Sequence, residues 1–181
     1  MSKTSLVLTI LGPDRPGLVE QLARVVAEHG ANWLESRMAH LAGQFAGILR
    51  VEVDAAHAEE LAASLRGLAA SGLDTIIHPD PVGDTPAMRS IAASADSRPL
   101  LHLDLLGQER PGIVREISRV LASLGVNVEE LNTQCRAAAE TGQPLFHAEA
   151  QLRLPPTVTE DALRQALEAV AADLMVDVSL A

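Results

Sequence analysis

The chain has 181 residues, a formal net charge of −10 and one cysteine, Cys135, which excludes an intramolecular disulfide. This length suits one ordinary domain or two small ones. The acidic charge argues against direct nucleic-acid binding, because that affinity depends on clustered Lys and Arg. Neither a signal-peptide pattern nor a membrane-length apolar run occurs. We therefore expect a soluble, cytoplasmic protein that contacts neither membrane nor nucleic acid directly.

The first 79 residues alternate between strand and helix patterns. Apolar residues at 4–11 predict a strand, and the following segment from Leu18 has the 3.6-residue period of a helix, which Gly30 is expected to end. Two further strands, a second helix and a last strand are predicted at the ranges 31–41, 44–53, 56–70 and 73–78. The order is β-α-β-β-α-β.

The second half repeats this order after a segment rich in Pro, Ser, Asp and Ala at 80–98, which we interpret as a linker. Without gaps, residues 12–35 and 107–130 share 11 identities in 24 positions, which supports an internal duplication. The sequence therefore predicts two domains, at 1–79 and 99–181.

A β-α-β-β-α-β unit folds most readily as a ferredoxin-like sandwich. The predicted class is α+β, with two such domains, each an antiparallel four-stranded sheet with both helices on one face. We expect the first and third strands to be central and parallel to each other, and the second and fourth to be edges. The face without helices would be covered, with another copy of the domain as the obvious candidate.

The most distinctive repeated feature is the loop between the first strand and first helix of each half, at 12–17 and 107–112. Pro16 and Pro111 are predicted at the first helical position, which would push the preceding arginine out of the helix and away from the loop. Free N–H groups at the helix start favour a carboxylate, and the acidic loop residue could cap the helix or accept from an ammonium group. A plain strand-to-helix turn explains the same residues, so both interpretations stay open.

Few other residues suggest chemistry. An asparagine follows each helix-ending glycine by two positions, where it could satisfy local backbone or contact a ligand. The six histidines lack the His-x-x-x-His spacing of a metal site, and we find neither a catalytic motif nor a cofactor motif. We therefore predict no metal, no cofactor and no catalytic residue, and we assign Trp33 to core or interface packing.

The pattern Gly-x-Asp/Glu-Arg-Pro-Gly-Leu/Ile-Val, followed by a helix and Gly-x-Asn, resembles the ACT domain, a βαββαβ module that binds amino acids in many metabolic regulators. The resemblance covers residues 4–79 and 99–181. Two ACT units, with the run 32–39 followed by Gly43 and Phe45, resemble the glycine cleavage system transcriptional repressor family.

This resemblance implies a non-enzymatic regulator without its own DNA-binding domain, which binds a small, glycine-like amino acid and opposes a DNA-bound transcription activator by protein contact. Ligands of ACT domains sit between the first loop of one domain and the second strand of another, so a homodimer or intramolecular pairing is implied. A scaffold without ligand, or an acylphosphatase-like enzyme, is the alternative. The implied ligand-binding residues are Asp14, Arg15, Pro16, Gly17, Leu18 and Asn32, with Glu109, Arg110, Pro111, Gly112, Ile113 and Asn127 in the second half.

Overall fold

A computed structural model describes residues 2–79, 100–138 and 142–181. The chain forms two compact units, 1–95 and 96–181. The predicted linker at 80–98 lies outside the described residues, and its limits stay a prediction. Within the described ranges, no helix is both long enough and apolar enough to cross a membrane.

The first unit has the predicted order of elements. The second predicted helix is shorter than expected, because 3₁₀ turns at Ala55–His57 and Leu68–Ser71 flank it. The elements are β1 Lys3–Pro13, α1 Leu18–Glu28, β2 Asn32–Leu41, β3 Gln44–Asp54, α2 Ala58–Gly67 and β4 Asp74–Pro79.

The strands of the first unit form one sheet in the order β2-β3-β1-β4, in which every neighbouring pair is antiparallel. The prediction of central first and third strands is confirmed, but the prediction that they are parallel is wrong. The helical crossover makes β1 and β2 parallel, and the tight hairpin at Gly43 reverses the chain, so β3 runs antiparallel to both.

One face of this sheet carries both helices. Alternate residues of β1 and β3, such as Leu8 and Leu49, are fully buried against Leu22 of α1 and Leu61 of α2. Because a strand alternates its side chains, the intervening residues lie on the face without helices, which we call the open face. Trp33 packs against this core, as predicted.

The second unit repeats the fold. Its sheet has the order β6-β7-β5-β8, again antiparallel throughout, and its core joins both helices to one face. The elements are β5 Leu100–Gln108, α3 Ile113–Ser123, β6 Asn127–Ala137, β7 Pro144–Arg153, α4 Glu160–Leu174 and β8 Val176–Leu180.

Candidate functional site

The first helix of each unit begins two residues after the proline that was predicted to open it, at Leu18 and at Ile113. Gly17 is the N-cap of α1, and its carbonyl oxygen accepts the first helical bond from Gln21 N at 3.0 Å. Gly112 plays the same part for α3. Their φ angles of 92° and 100° are left-handed, a region that costs other residues roughly 1–2 kcal/mol. The prolines therefore precede the cap, and the prediction that they open the helix is wrong.

The acidic residue in each loop does not cap the helix with its side chain. Its backbone N–H instead ties the loop to the β-hairpin. Asp14 N donates to Gly43 O at 2.9 Å, and Glu109 N donates to Pro144 O at 3.1 Å. The Asp14 carboxylate lies 3.6 Å from His40 Nε2. The loop is thus fixed to the end of the edge hairpin, and its acidic side chain is exposed above it.

The loop arginine of each unit is turned towards the segment that ends the second helix, which is the 3₁₀ turn Leu68–Ser71 in the first unit and the last turn of α4 in the second. Arg15 donates to Ser71 O, and Arg110 donates to Asp173 O. Carbonyl groups in the last turn of a helix lack intrahelical partners and carry the negative end of its dipole. Each arginine therefore joins the loop to the other helix, whereas the sequence suggested a side chain that projects outward.

Replacing Arg15 by alanine is consequently expected to lower the free energy of unfolding of the first unit by about 1 kcal/mol, since a charged donor to an exposed helix end is lost. A shift of roughly 4–8 °C in the first unit's melting temperature would report this loss. Arg24→Ala, which removes an exposed arginine from α1, is the matched control and should change the melting temperature little. Equal shifts for both variants would contradict the contact.

Two residues implied in ligand binding have buried side chains. Leu18 is 3% exposed and Ile113 is 2% exposed, and both belong to the cores of their units. Only their backbone could face a ligand. Each core residue fixes the first turn of its helix, so the N–H groups of the loop keep one direction.

The second strand of each unit lies at the sheet edge, and the implied asparagines begin these strands. Asn32 pairs with Glu52, Asn127 pairs with Arg153, and both asparagines are exposed. A register shift follows in both units, between Trp33 and Glu35 and at the equivalent place in β6. The duplication therefore preserves the bulge as well as the asparagine.

The residue inside the bulge differs between the units and changes the surroundings of the asparagine. In β6 it is Glu129, whose Oε1 accepts from Asn127 Nδ2 at 2.8 Å and from Arg153 Nε at 2.9 Å. In β2 the equivalent residue is Leu34, 44% exposed, which cannot make either bond. A carboxylate therefore stands beside the second asparagine and an apolar side chain beside the first.

The spacing argument against metal ligands overlooked a cluster on the open face of the second unit. His102, Asp104 and Glu149 each present a ligand atom, and these atoms lie within 4.8 Å of one another. The available signal was the strand period: His102 and Asp104 are two residues apart on β5, and Glu149 is opposite Asp104 on β7. A helical His-x-x-x-His search does not detect such a set.

Comparison with known proteins agrees with this architecture. The family described as ACT domain matches residues 4–77. A crystal structure of a protein of unknown function from Galdieria sulphuraria has a TM-score of 0.82 and 28% identity, and the match covers 99% of this chain and 98% of that one. The first unit therefore matches the ACT-domain family in sequence. The second unit repeats its sheet order and loop, so the chain as a whole is similar to a tandem ACT-domain protein.

The chain is also similar to the glycine cleavage system transcriptional repressor of Escherichia coli K12, at 25% identity over 96% of this chain and 87% of the relative. A solved structure assigned to such a repressor shares the fold, with a TM-score of 0.70 and 19% identity over 100% of this chain and 98% of that one. Phosphoserine phosphatase SerB2 of Mycobacterium tuberculosis is 28% identical over 99% of this chain, but the chain spans only 41% of that relative's length.

Proposed function

We propose that this chain is an amino-acid-responsive regulator that binds a small, glycine-like amino acid at its first loop and modulates a transcription activator through protein contact. The observation that carries the proposal is the loop itself: the start of α1 lies beside an exposed carboxylate, Asp14, and the fold is that of an ACT domain. Helix N–H groups attract the ligand carboxylate, and Asp14 attracts its ammonium group.

A small ligand suits this surface because the cap residue Gly17 has open space around the position that a Cβ would occupy. The proposed site is completed by the edge strand of a second ACT domain, since the loop supplies contacts on one side only. Asn32 is the residue that such an edge strand contributes, and it is exposed at the start of β2.

Of the two loops, we assign ligand binding chiefly to the first. The asparagine of the proposed site is Asn32. The amide of Asn127 is already bonded to the carboxylate of Glu129, which would also repel the carboxylate of an amino acid. Leu34 places no charge at the corresponding position in the first unit. The second asparagine is thus better suited to holding the bulge than to meeting an anion.

The protein partner follows from charge and from the relatives. A chain with a net charge of −10 is poorly suited to phosphate contacts. Its relative in Escherichia coli is named as a transcriptional repressor of the glycine cleavage system. We therefore propose that the regulator acts on a DNA-bound activator and leaves the DNA contacts to that partner.

Titration calorimetry with glycine and serine tests the proposal. Serine is included because the relative from Mycobacterium tuberculosis is named as a phosphoserine phosphatase. We expect heat from at least one of the two, and Asn32→Ala should weaken that binding by about 1 kcal/mol, roughly fivefold, through loss of one hydrogen bond. Asn127→Ala is the matched control and should retain nearly full affinity.

The alternatives predict different results. A pair of ACT domains that serves only as a scaffold gives no heat with any amino acid while still retaining its protein partner in a pull-down. An acylphosphatase-like enzyme hydrolyses an acyl phosphate at a rate that Arg15→Ala abolishes. Glycine-dependent retention of an activator, lost in Asn32→Ala, is the outcome that the proposed function requires.

A further inference from the structure

The open face of the second unit carries a compact set of metal-ligating side chains. His102 and Asp104 lie on β5, and Glu149 lies on β7 directly opposite Asp104. Their ligand atoms are within 4.8 Å of one another. His102 and Glu149 also line a groove, together with Glu130, Asn132 and Gln151. We propose that these three side chains bind one first-row divalent transition-metal ion of the Zn²⁺ type.

The ligand chemistry selects the kind of ion. One imidazole nitrogen with two carboxylate oxygens suits Zn²⁺ and its neighbours, whereas Mg²⁺ prefers oxygen and water. Ligands about 2.1 Å from a tetrahedral ion lie about 3.4 Å apart. Glu149 is exposed, so rotation of its side chain can close the remaining distance. The groove beside His102 and Glu149 would leave the fourth position to water.

Neighbouring side chains already hold two of the ligands in place. Gln134 Nε2 donates to His147 Nδ1 at 3.3 Å, and His147 Nε2 then donates to Asp104 Oδ2 at 2.8 Å. This directed pair leaves Oδ1 of Asp104 for the ion. Gln151 lies 3.2 Å from His102 Nδ1. The Gln151 atom at this contact is the amide nitrogen, Nε2. A half-turn of the amide would place its oxygen there to accept from Nδ1, and the lone pair of His102 Nε2 would then be available to the ion.

The duplication supplies an internal comparison. By the shared register, the positions of His102, Asp104 and Glu149 correspond to Val7, Thr9 and Ile48 of the first unit, which cannot bind a metal. The same sheet therefore folds without ionisable residues at these positions. The fold does not require these three ligands or their supporting hydrogen bonds, since only the second unit has them. Metal binding would explain why they occur together.

The test uses the untagged full chain after treatment with a chelator. Zn²⁺ should raise the melting temperature of the second unit and bind by calorimetry with one ion per chain, and Co²⁺ should give visible absorption bands of nitrogen and oxygen ligation. Mg²⁺ at the same concentration should have no such effect. His102→Gln and Glu149→Gln should each weaken Zn²⁺ binding at least about tenfold.

His78→Gln, which removes an exposed histidine from β4 of the first unit, is the control and should leave Zn²⁺ binding unchanged. Absence of Zn²⁺ binding by the folded wild-type chain would overturn the proposal. Equal binding by His102→Gln would also overturn it, because the ion would then lie elsewhere, and equal responses to Zn²⁺ and Mg²⁺ would show only an acidic surface. Since glycine binding is assigned to the first unit, the two proposals can fail separately.

Discussion

Replacing Gly12 by alanine should destabilise the first unit by about 3 kcal/mol, because the added methyl group has no space. A Cβ at Gly12 would lie 2.4 Å from Gly72 O and 3.3 Å from Leu73 Cα, and both of these are backbone atoms. Gly107 repeats the feature, with Met175 O at 2.8 Å and the Cα of Val176 at 2.9 Å. The first residue of each loop is thus small so that the turn before the last strand can pack onto it.

Calorimetric unfolding measures this effect, with an expected fall of roughly 12–24 °C in the melting temperature of the unit concerned. Gly67→Ala is the matched control, because Gly67 lies in α2 with nothing within 4 Å of its Cβ position. Alanine there should stabilise by about 0.5–1 kcal/mol. If Gly12→Ala unfolds at the wild-type temperature, the close approach of the two backbones is refuted.

The same close approach explains why the loop sequence is repeated. Gly12 admits the turn before β4, and Arg15 then donates to Ser71 O in that turn. Gly107 and Arg110 do the same in the second unit. Part of the motif is therefore structural, since it joins the loop to the second helix. The Asp14 side chain and the N-terminus of α1 take no part in this contact and are available to bind the proposed ligand.

Periodicity was sufficient to predict the fold. Alternation in β1 and the 3.6-residue period from Leu18 identify the elements because burial on one face acts on each residue locally. The relative direction of the central strands was missed, although the short hairpin at Gly43 determines it. The helical crossover relates β1 to β2, so by itself it does not give the direction of β3, which is adjacent to β1 in space.

The site was harder to predict, because its contacts join distant residues. Arg15 and Ser71 are 56 residues apart, and no local pattern indicates which carbonyl an arginine will meet. The cluster formed by His102 and Glu149 depends in the same way on the register of two strands. The repeat indicates which residue types occupy the loop. Their contact partners depend on the strand order and register of the sheet.

The bulge carries an apolar residue, Leu34, in the first unit and a carboxylate, Glu129, in the second. Leu34→Glu should weaken glycine or serine binding by about 2 kcal/mol, roughly thirtyfold, because it places a carboxylate beside Asn32 and close to the carboxylate of the ligand. Glu129 already occupies this position in the second unit, where it accepts from Asn127. Calorimetric titration of the variant measures the loss.

Leu34→Gln is the control for this change, since it introduces the same size and polarity without charge and should retain most of the affinity. Raising the ionic strength should restore part of the binding lost in Leu34→Glu, because salt screens repulsion between exposed charges. Unchanged affinity in Leu34→Glu would place the ligand away from the start of β2 and remove the reason for assigning recognition to Asn32. Equal losses for the glutamate and glutamine variants would instead show that Leu34 contributes apolar contact and that charge is irrelevant there.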